Sequence, residues 1–355
     1  MNVKVHSNDL GHIMKTISKC LGPKGTATSN IEIRHEDSLF TIRASNGSVS
    51  AMASTPLLGG DGEAFCVDGE LFGKVVGLCS GAVDIRTEGK SCLIKSNGRT
   101  RIPIVEAVIP EAAGVEGKEV SVSGSDFARV FGKVGYAIST DQTRIVLTGV
   151  LIEVVNNVML MTTLDGFQFS QEEIPCAGDG VKMVVPGSLM KLIAGSCSYD
   201  EKIILRTDGH RVTVETDGLL LNGPLLTGEF VDYKKLIPRE FKAEVKVNTQ
   251  ELRNALKSSQ VVNNSQKMVK LEISPDVVKV LSNSDQADFE ADVGCDGFGD
   301  GLKIAFDERY LTNALAAVDT DEAALMFTTA VSPAIVRGIG QSGIHLLLPV
   351  RIAAG

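Results

Sequence analysis

The fold is decided by the stretch SGSDFARVFGKV at residues 123–134, where a polar cap precedes apolar residues at helical spacing. Phe127, Val130, Phe131 and Val134 occupy positions i, i+3, i+4 and i+7, the pattern of an amphipathic helix with one buried face. Ser and Asp residues favour a helix start because their side-chain oxygens accept hydrogen bonds from free backbone N–H groups. The stretch therefore predicts a helix whose first turn is capped.

The same arrangement recurs at domain-sized intervals. Capped stripes also lead into Leu10 and Leu252, which lie 117 residues before and 125 residues after Phe127. A shorter helix recurs too, and its leading residues are Leu71, Leu189 and Tyr310. These are separated by 118 and 121 residues, so two independent markers give nearly the same period. The sequence predicts three similar domains, at residues 1–117, 118–240 and 241–355.

Short runs rich in Val, Ile and Thr lie between the helices and predict β-strands. They cover residues 29–34, 39–43, 144–154, 158–163, 202–206, 211–216, 269–273 and 277–281. Asn-Gly and Asp-Gly pairs at 46–47, 97–98, 208–209 and 217–218 predict hairpin turns. Each block therefore holds two helices and several antiparallel strands, and the predicted fold class is α+β.

Composition excludes several classes of protein. The chain has 355 residues, 35 basic and 44 acidic, a net charge of −9, which excludes a generally basic protein that coats nucleic acid. A hydrophobic content of 43% excludes wholesale disorder. None of the seven cysteines forms a Cys-x-x-Cys pair, and the N-terminus lacks the apolar stretch of a signal peptide. We expect a cytoplasmic protein in a reducing compartment.

No pattern in the sequence indicates catalysis, a metal or a cofactor. The five histidines share no metal-ligand spacing and are expected to be surface or structural. GPKGT at 22–26 lacks the Lys-Ser/Thr pair and the glycine spacing of a phosphate loop. DGFGDG at 296–301 lacks the final Glu of a calcium loop and predicts a turn. The acidic pairs at 172–173 and 321–322 lie in polar surroundings.

Basic residues concentrate in the helix bodies, although the chain as a whole is acidic. Each long helix carries two bases at i and i+4, and each short helix carries one: Lys15, Lys19, Arg129, Lys133, Arg253, Lys257, Lys74, Lys191 and Arg309. The acidic residues of these helices crowd into the first turn, where they complement the helix dipole. Two interpretations stay open, a surface that faces DNA phosphates and ordinary solvated helix faces.

Four local strings carry a resemblance to a known family. They are TRIVLTG at 143–149, LDGF at 164–167, FVDYKKLIP at 230–238 and LLLPVR at 346–351. Together with the threefold repeat, the chain resembles the β sliding clamp of bacterial DNA polymerase III over essentially its whole length. The last two strings are fairly specific in combination and weak alone.

The resemblance implies a ring of six similar domains, made by a head-to-tail homodimer. Twelve helices would line a central hole through which double-stranded DNA passes without sequence-specific contacts. The ring would have no chemistry of its own and would tether a polymerase. By this resemblance, the residues that would face DNA in the central hole are the helix bases named above and Lys24, which lies in the loop after the first helix.

The resemblance also implies a pocket between the second and third domains that binds short peptides of polymerase and clamp-loader subunits. Its matching positions are Leu147, Leu164, Gly166, Phe167, Gln168, Phe169, Val231, Lys235, Leu236, Tyr310, Leu346, Leu348, Pro349, Val350 and Arg351. Phe167 and Gln168 replace a usual His and Arg, Val231 replaces Pro, and Leu348 replaces Met, so a more apolar pocket is expected. Without the resemblance, the same residues would be read as ordinary core and interdomain packing.

The dimer interface implied by the resemblance falls on Ile102 and Ile104 of the first domain and on Val261 and Val262 of the third. Pro103 lies between the first two, and proline cannot donate a hydrogen bond to a strand ladder. Either its nitrogen side points away from the partner or the interface differs. Two alternatives to a clamp stay open, a monomeric β-rich interaction module and an enzyme that uses the interdomain pocket.

Overall fold

A computed structural model describes residues 1–197, 201–262, 267–299 and 301–351. Its helices are α1 (Ser7–Ile17), α2 (Gly69–Val76), α3 (Gly124–Val134), α4 (Gly187–Ala194), α5 (Thr249–Val262) and α6 (Glu308–Ala316). Short 3₁₀ turns occupy Ser18–Cys20, Ala27–Ser29, Gly135–Ala137, Gln142–Thr148 and Tyr233–Lys235. The six α-helices are the three long and three short helices that the repeat predicts.

The strands fall between these helices, and neighbouring strands pair antiparallel. They are β1 (Asn2–His6), β2 (Asn30–Glu36), β3 (Leu39–Ser45), β4 (Ser50–Pro56), β5 (Gly59–Asp61), β6 (Phe65–Asp68), β7 (Ala82–Glu88), β8 (Ser91–Lys95), β9 (Arg99–Val105), β10 (Lys118–Ser123), β11 (Gly149–Val155), β12 (Val158–Leu164), β13 (Gln168–Pro175), β14 (Val181–Pro186), β15 (Lys202–Thr207), β16 (Arg211–Thr216), β17 (Leu219–Pro224), β18 (Ala243–Asn248), β19 (Met268–Ile273), β20 (Val277–Asn283), β21 (Asp288–Phe298), β22 (Leu302–Asp307), β23 (Glu322–Phe327), β24 (Ala334–Gly338) and β25 (Ile344–Leu347). The predicted α+β class is confirmed.

The chain divides into two compact units. Unit 1 comprises Met1–Ala128, Val154–Asn157 and Cys176–Leu226, and unit 2 comprises Arg129–Glu153, Val158–Pro175 and Thr227–Gly355. The sheet of unit 1 has the order β10-β15-β16-β17-β4-β3-β2-β6-β9-β8-β7-β1-β5. In unit 2 the order is β11-β12-β13-β25-β24-β23-β18-β21-β20-β19-β22. The threefold division of the sequence stays a prediction.

Side-chain caps explain where several helices begin. Asp68 accepts a hydrogen bond from the backbone N–H of Leu71 over 2.7 Å at the start of α2. Asp307 does the same for Arg309 over 2.9 Å at the start of α6, and Asn248 does so for Glu251 over 3.0 Å in α5. These contacts satisfy N–H groups that have no partner within the helix.

One prediction about local structure is wrong. Residues 144–148 were predicted as strand but lie in the 3₁₀ turn Gln142–Thr148, and β11 begins only at Gly149. Asp141 accepts hydrogen bonds from the backbone N–H and the hydroxyl of Thr143 and thereby starts this turn. In α2 the leading residue Leu71 is 42% exposed, whereas Phe72 is fully buried. The other predicted strands agree with the structure to within two residues.

The four predicted hairpin turns all connect strands that pair antiparallel, for example β3 with β4 and β16 with β17. A fifth turn, Asn156-Asn157 between β11 and β12, has positive φ angles of 52° and 61°, a conformation that Asn tolerates better than most residues. None of the described helices is long and apolar enough to span a membrane.

Candidate functional site

The first candidate site is an apolar surface in unit 2, built where β13 meets β25. These strands pair antiparallel, with Phe169 opposite Leu346. Beyond the ladder, the backbone N–H of Leu348 donates to the Phe167 carbonyl over 2.9 Å, and that of Val350 donates to the Ala305 carbonyl over 2.8 Å. The LDGF string and the C-terminal LLLPVR string therefore lie side by side.

Large apolar side chains are exposed on this surface. Phe167 is 56% exposed, Val231 42%, and Leu236 and Val350 39% each. The ring of Phe167 stacks on that of Tyr310, with centroids 6.1 Å apart and planes inclined by 24°. Exposed apolar side chains in one region mark a surface that another molecule can cover. Their chemistry suits an apolar peptide side chain.

The other predicted pocket residues are either buried beneath this surface or at least partly exposed. Leu147, Leu164, Phe169 and Leu346 are buried, and Phe169 stacks on Tyr233 with ring centroids 5.5 Å apart. Gly166, Leu348 and Pro349 are partly exposed, and Lys235 and Arg351 are exposed. The fifteen predicted positions thus divide into an exposed set and a buried supporting set, and their role in binding stays a prediction.

Gln168 does not present its side chain to the surface. It is 4% exposed, its Nε2 donates to Asp165 Oδ2 over 3.0 Å, and its Oε1 accepts from Asn313 Nδ2 over 3.3 Å. Asp165 Oδ1 also accepts from the backbone N–H groups of Phe167 and Gln168, each over 2.7 Å. These bonds fix the turn that presents the Phe167 ring.

Two residues beside the surface were not predicted. Arg144 Nη1 would lie 3.3 Å from a Cβ placed on Gly166, whose φ of 100° favours glycine, and Arg144 Nη2 donates to the Asp165 carbonyl over 3.4 Å. Ile145, the next residue, is 53% exposed. Both residues lie in the TRIVLTG string. The signal that could have identified this region is the apolar residue Ile145, which the 3₁₀ turn leaves exposed to solvent.

The second candidate site is the set of basic residues on the helices. Eight of the ten predicted DNA-facing residues are exposed, namely Lys15, Lys19, Lys24, Lys74, Arg129, Lys191, Lys257 and Arg309. In unit 1, Thr16 Oγ1 donates to Ser196 Oγ over 3.1 Å, so the C-terminal ends of α1 and α4 adjoin. Glu70 pairs with both Lys74 and Lys24, and the hydrogen bond from Lys74 holds the pKa of Glu70 below its ordinary value.

Two of the ten predictions are wrong in their placement. Lys133 is 6% exposed, and its Nζ lies 2.5 Å from Asp319 Oδ2. Arg253 is half-buried, and its Nη2 donates to the carbonyls of Leu315 and Val318, over 2.6 Å each. Lys133 lies in the last turn of α3, which the rest of unit 2 covers, and Arg253 caps the C-terminal end of α6. Both side chains are therefore held by partners within unit 2.

Two strands have one open edge over part of their length. In unit 1, β9 pairs with β8 from Arg99 to Pro103 but with β6 only at Ile104 and Val105. In unit 2, β21 pairs with β20 from Asp288 to Gly294 but with β18 only at its C-terminal end. The remaining backbone groups on the open sides have no strand partner among the described residues.

The open segments carry opposite charges. Arg99 and Arg101 are exposed on β9, whereas Asp288, Glu290 and Asp292 are exposed on β21. Each edge also lies beside a helix with exposed apolar residues. The α2 helix beside β9 carries Leu71 and is followed by Leu78, which is 82% exposed, and α5 beside β21 carries Val261, which is 87% exposed.

One predicted interface residue needs correction. Ile102 is fully buried within unit 1, so its side chain is unavailable to a partner, whereas Ile104 and Val262 are partly exposed. Because the N–H of Ile104 donates to Lys90 on the β8 side, the nitrogen of Pro103 points towards the open edge. A strand that pairs there would find no donor at residue 103.

Comparisons with known proteins match this chain to one protein family. The model of the DNA polymerase III beta subunit, central domain, matches residues 121–232, and that of its C-terminal domain matches residues 234–351. The beta sliding clamp of Streptomyces coelicolor is 24% identical, over 99% of this chain and 100% of its own length. That of Pseudomonas aeruginosa is 23% identical over 76% of each chain.

Solved structures show the same fold. The DNA polymerase III beta subunit of Thermotoga maritima superposes with a TM-score of 0.92 at 26% identity, over 99% of this chain and 100% of that one. A sliding clamp of P. aeruginosa bound to griselimycin superposes with a TM-score of 0.93 at 19% identity, over 99% and 100%.

Proposed function

The chain belongs to the DNA polymerase III beta subunit family, the beta sliding clamps, and we propose that two copies of it close head to tail into a ring. Proteins of this family are non-catalytic processivity factors, and this chain acts in DNA replication as one of them. In the proposal each copy contributes three domains, at residues 1–117, 118–240 and 241–355. The ring encircles duplex DNA in the cytoplasm and tethers a polymerase.

The half-open edges support the head-to-tail arrangement. An edge with Arg99 and Arg101 in one copy faces an edge with Glu290 and Asp292 in the other, so the two surfaces are different and complementary. Pairing would satisfy backbone groups that are otherwise left to water. It would also cover apolar side chains such as Leu78 and Val261. The interface is therefore proposed to use Ile104, Val261 and Val262 but not the side chain of Ile102.

The exposed helix bases are proposed to face the DNA. Neutralising phosphates releases counterions and depends only weakly on base sequence, which suits a protein that must slide. With Lys133 and Arg253 removed from the set, Lys15, Lys19, Lys191 and Lys257 are the helix bases for which the structure describes no ion pair. The negative net charge of the whole chain does not oppose this proposal because enclosure, rather than bulk attraction, retains the DNA.

The apolar surface around Phe167 is proposed to hold short peptides from polymerase and clamp-loader subunits. The observation that carries this proposal is the exposed Phe167–Tyr310 stack beside Val350. A synthetic array of overlapping peptides from the host's polymerase and clamp-loader subunits tests it. We expect bound peptides to be apolar, and we expect Phe167→Ala to weaken the tightest one at least tenfold.

Retention on DNA tests the ring itself. Loaded onto closed circular DNA, the protein should remain bound during gel filtration and should be lost once the DNA is cut at one site. A ring slides off a free end, whereas a protein held by contacts alone does not distinguish the two forms. Equal retention on circular and linear DNA would contradict the proposal, as would a monomeric mass in sedimentation at micromolar concentration.

A further inference from the structure

A cluster of buried charged residues lies in unit 2 beside the apolar surface around Phe167. That surface is called the partner-peptide surface from here on. The side chains of Lys133 and Glu172 are each 7% exposed, and Lys133 Nζ lies 3.8 Å from Glu172 Oε1. The same oxygen lies 3.3 Å from Nε2 of His345, whose side chain is 1% exposed. Asp319, which is half-exposed, reaches Lys133 Nζ over 2.5 Å. The proposed function assigns no role to this cluster.

Two hydroxyl groups determine how His345 joins it. Ser170 Oγ lies 2.9 Å from His345 Nδ1, and the hydroxyl of Tyr136 lies 3.3 Å from it. Burial raises the pKa of Tyr136, so its hydroxyl keeps its proton. Because Ser170 Oγ donates its one proton to the Lys133 carbonyl over 3.3 Å, Tyr136 is the hydroxyl that can donate to Nδ1. Nε2 is then left to carry a proton towards Glu172. The cluster connects α3, β13, β25 and the loop after α6.

Stability alone does not explain such a cluster. Removing one partner of a buried ion pair is strongly destabilising, but replacing the whole group by apolar residues of similar size is often neutral or stabilising. The best attested use of buried polar groups is to select one arrangement among several of similar energy. The neighbouring strand offers such alternatives.

The apolar pattern of β25 specifies its register only weakly. The strand has four residues, and Leu346 and Leu347 are both buried although they point to opposite faces. A third leucine follows at 348. A slip that brings Leu347 and Leu348 into the places of Leu346 and Leu347 would exchange leucine for leucine on both faces, so burial of apolar area discriminates poorly between these two registers.

The buried cluster does discriminate between registers. In the observed register His345 lies opposite Ser170 on β13 and faces Glu172, which shares that face of β13 two residues further on. A Cβ on Gly343 would lie 2.2 Å from Glu172 Oε1, so any larger residue there would have to displace the Glu172 carboxylate. The slip that exchanges leucine for leucine would bring Ile344 into that place and would leave the charges of Lys133 and Glu172 without His345.

We propose that Lys133, Glu172 and His345 are positioning residues, which fix the register of β25 on β13 and thereby place residues 346–350 of the partner-peptide surface. This inference rests on the proposed function of that surface. It predicts that the cluster affects peptide binding without contacting the peptide. Disrupting the cluster should weaken binding because the register of β25 on β13 is then no longer fixed.

The decisive variant replaces the whole cluster by apolar residues, Lys133→Met with Glu172→Leu and His345→Leu. We expect the urea midpoint to stay close to that of the wild type, because no buried charge is left unpaired. We expect affinity for the tightest peptide of the array to fall at least tenfold. Hydrogen exchange at the Leu348 amide, which donates to Phe167 in the native register, should accelerate at least tenfold.

A matched control replaces the exposed pair Lys303 and Glu272, whose Nζ and Oε1 atoms are 2.7 Å apart on β22 and β19 of the same unit. Lys303→Met with Glu272→Leu should leave both measurements within twofold of the wild type. Unchanged exchange at Leu348 in the folded cluster variant would overturn the proposal. Accelerated exchange with unchanged peptide affinity would overturn its positioning role.

A second variant covers the case in which the cluster variant does not fold. Gly343→Ala keeps every charged residue but places a methyl group against Glu172, so it should weaken the peptide and accelerate exchange at Leu348. Adding Glu172→Asp withdraws the carboxylate by one methylene group. This should restore peptide affinity and slow hydrogen exchange at Leu348, at least in part. Wild-type behaviour of Gly343→Ala, or no rescue, would contradict the proposal. If no peptide binds the wild type, the proposed pocket is wrong, and the exchange measurements still test the register.

Discussion

Arg253 and Lys257 lie one turn apart on α5, yet their surroundings differ. Arg253 donates to two carbonyls at the C-terminal end of α6, where a cation also complements the helix dipole. Lys257 is exposed, and the structure describes no hydrogen bond or ion pair for it. One residue therefore belongs to the packing of the helix pair, and the other is available to DNA.

Alanine substitutions should separate these two roles. Arg253→Ala should lower the free energy of unfolding by about 2 kcal/mol, since it removes hydrogen bonds from a charged donor to two carbonyls. Urea denaturation measures this loss. Lys257→Ala should leave stability unchanged within about 0.5 kcal/mol.

The same pair should respond in the opposite order when binding to DNA is measured. Lys257→Ala should lower the slope of log affinity against log salt by about 0.9 for each phosphate contact that is lost. Arg253→Ala should leave this slope unchanged. A lower slope for Arg253→Ala, or a stability loss for Lys257→Ala, would show that the assignment of the two residues is reversed.

Spacing along a helix predicts which residues share a face but not what covers that face. Arg129 and Lys133 are four residues apart on one helix face, and the sequence predicts that both are exposed. In the structure only Arg129 is exposed. Glu172 was predicted to lie in polar surroundings, and its neighbours Lys133 and His345 are polar, but its burial was not predicted. The alternation along β13 puts it on the same face as Ser170 and Ile174, and this was the available signal. The partners of a buried charge come from distant segments, which no local pattern reveals.

At the scale of elements, α6 connects helix capping with the partner-peptide surface. Asp307 caps its first turn, and Arg309 pairs with Asp307 over 2.5 Å. The next residue, Tyr310, carries the ring that stacks on Phe167. The start of α6 therefore holds one half of the exposed aromatic pair.

Asp307 should make a stability contribution that depends on pH. Burial tends to raise its pKa, but hydrogen bonds from Arg309 outweigh burial, and the pKa lies below the ordinary value of 3.8. A depressed carboxylate stabilises the fold above its unfolded pKa, and this stabilisation is lost as the pH falls through the folded value. Asp307→Asn keeps a capping side chain but removes this dependence.

The measurement is urea denaturation of the wild type and two variants between pH 7 and pH 2. The advantage of the wild type over Asp307→Asn should be constant above about pH 4 and should shrink below it. Asp307→Ala should lose about 1 kcal/mol at neutral pH because the cap is gone. An advantage that grows on acidification would contradict the assigned direction of the pKa shift.

Elements were predictable where one local signal dominated. Apolar stripes at helical spacing predicted the six α-helices of the described residues, and Gly-containing turns predicted four hairpins. The TRIVLTG string failed because its β-branched residues favour a strand, whereas hydrogen bonds to Asp141 start a 3₁₀ turn there. The pairing of β13 with β25 was also beyond sequence patterns, because it joins residues about 180 positions apart.

At the scale of the whole molecule, net charge and DNA binding are reconciled by enclosure. A chain with a charge of −9 cannot hold DNA by bulk attraction, but a closed ring needs only a few bases to guide the duplex. Closure in turn requires two interfaces that form together. The proposed interface pairs a basic edge, β9, with an acidic edge, β21, so each copy carries one of each.

Charge reversal tests this arrangement, because a head-to-tail dimer responds differently from a symmetric one. Arg99→Glu with Arg101→Glu should give monomers in sedimentation, since two acidic edges then meet at both interfaces. Glu290→Lys with Asp292→Lys should give monomers for the converse reason. Reversing two exposed lysines elsewhere, Lys246→Glu with Lys303→Glu, changes the net charge as much as the arginine variant and should leave the dimer intact.

Mixing the two reversed proteins makes the prediction sharper. In a mixed dimer the reversed β9 of one copy meets the reversed β21 of the other, and the second interface pairs two native edges. Both interfaces are then complementary, whereas each protein alone has two that repel, and like charges across an interface cost several kcal/mol. The mixture should therefore form one-to-one dimers that are retained on circular DNA. If instead β9 met β9 across a two-fold axis, the protein reversed at Glu290 and Asp292 would keep its native β9 edges and would stay a dimer on its own. Loss of the dimer in each reversed protein alone, together with rescue on mixing, would thus require the head-to-tail ring.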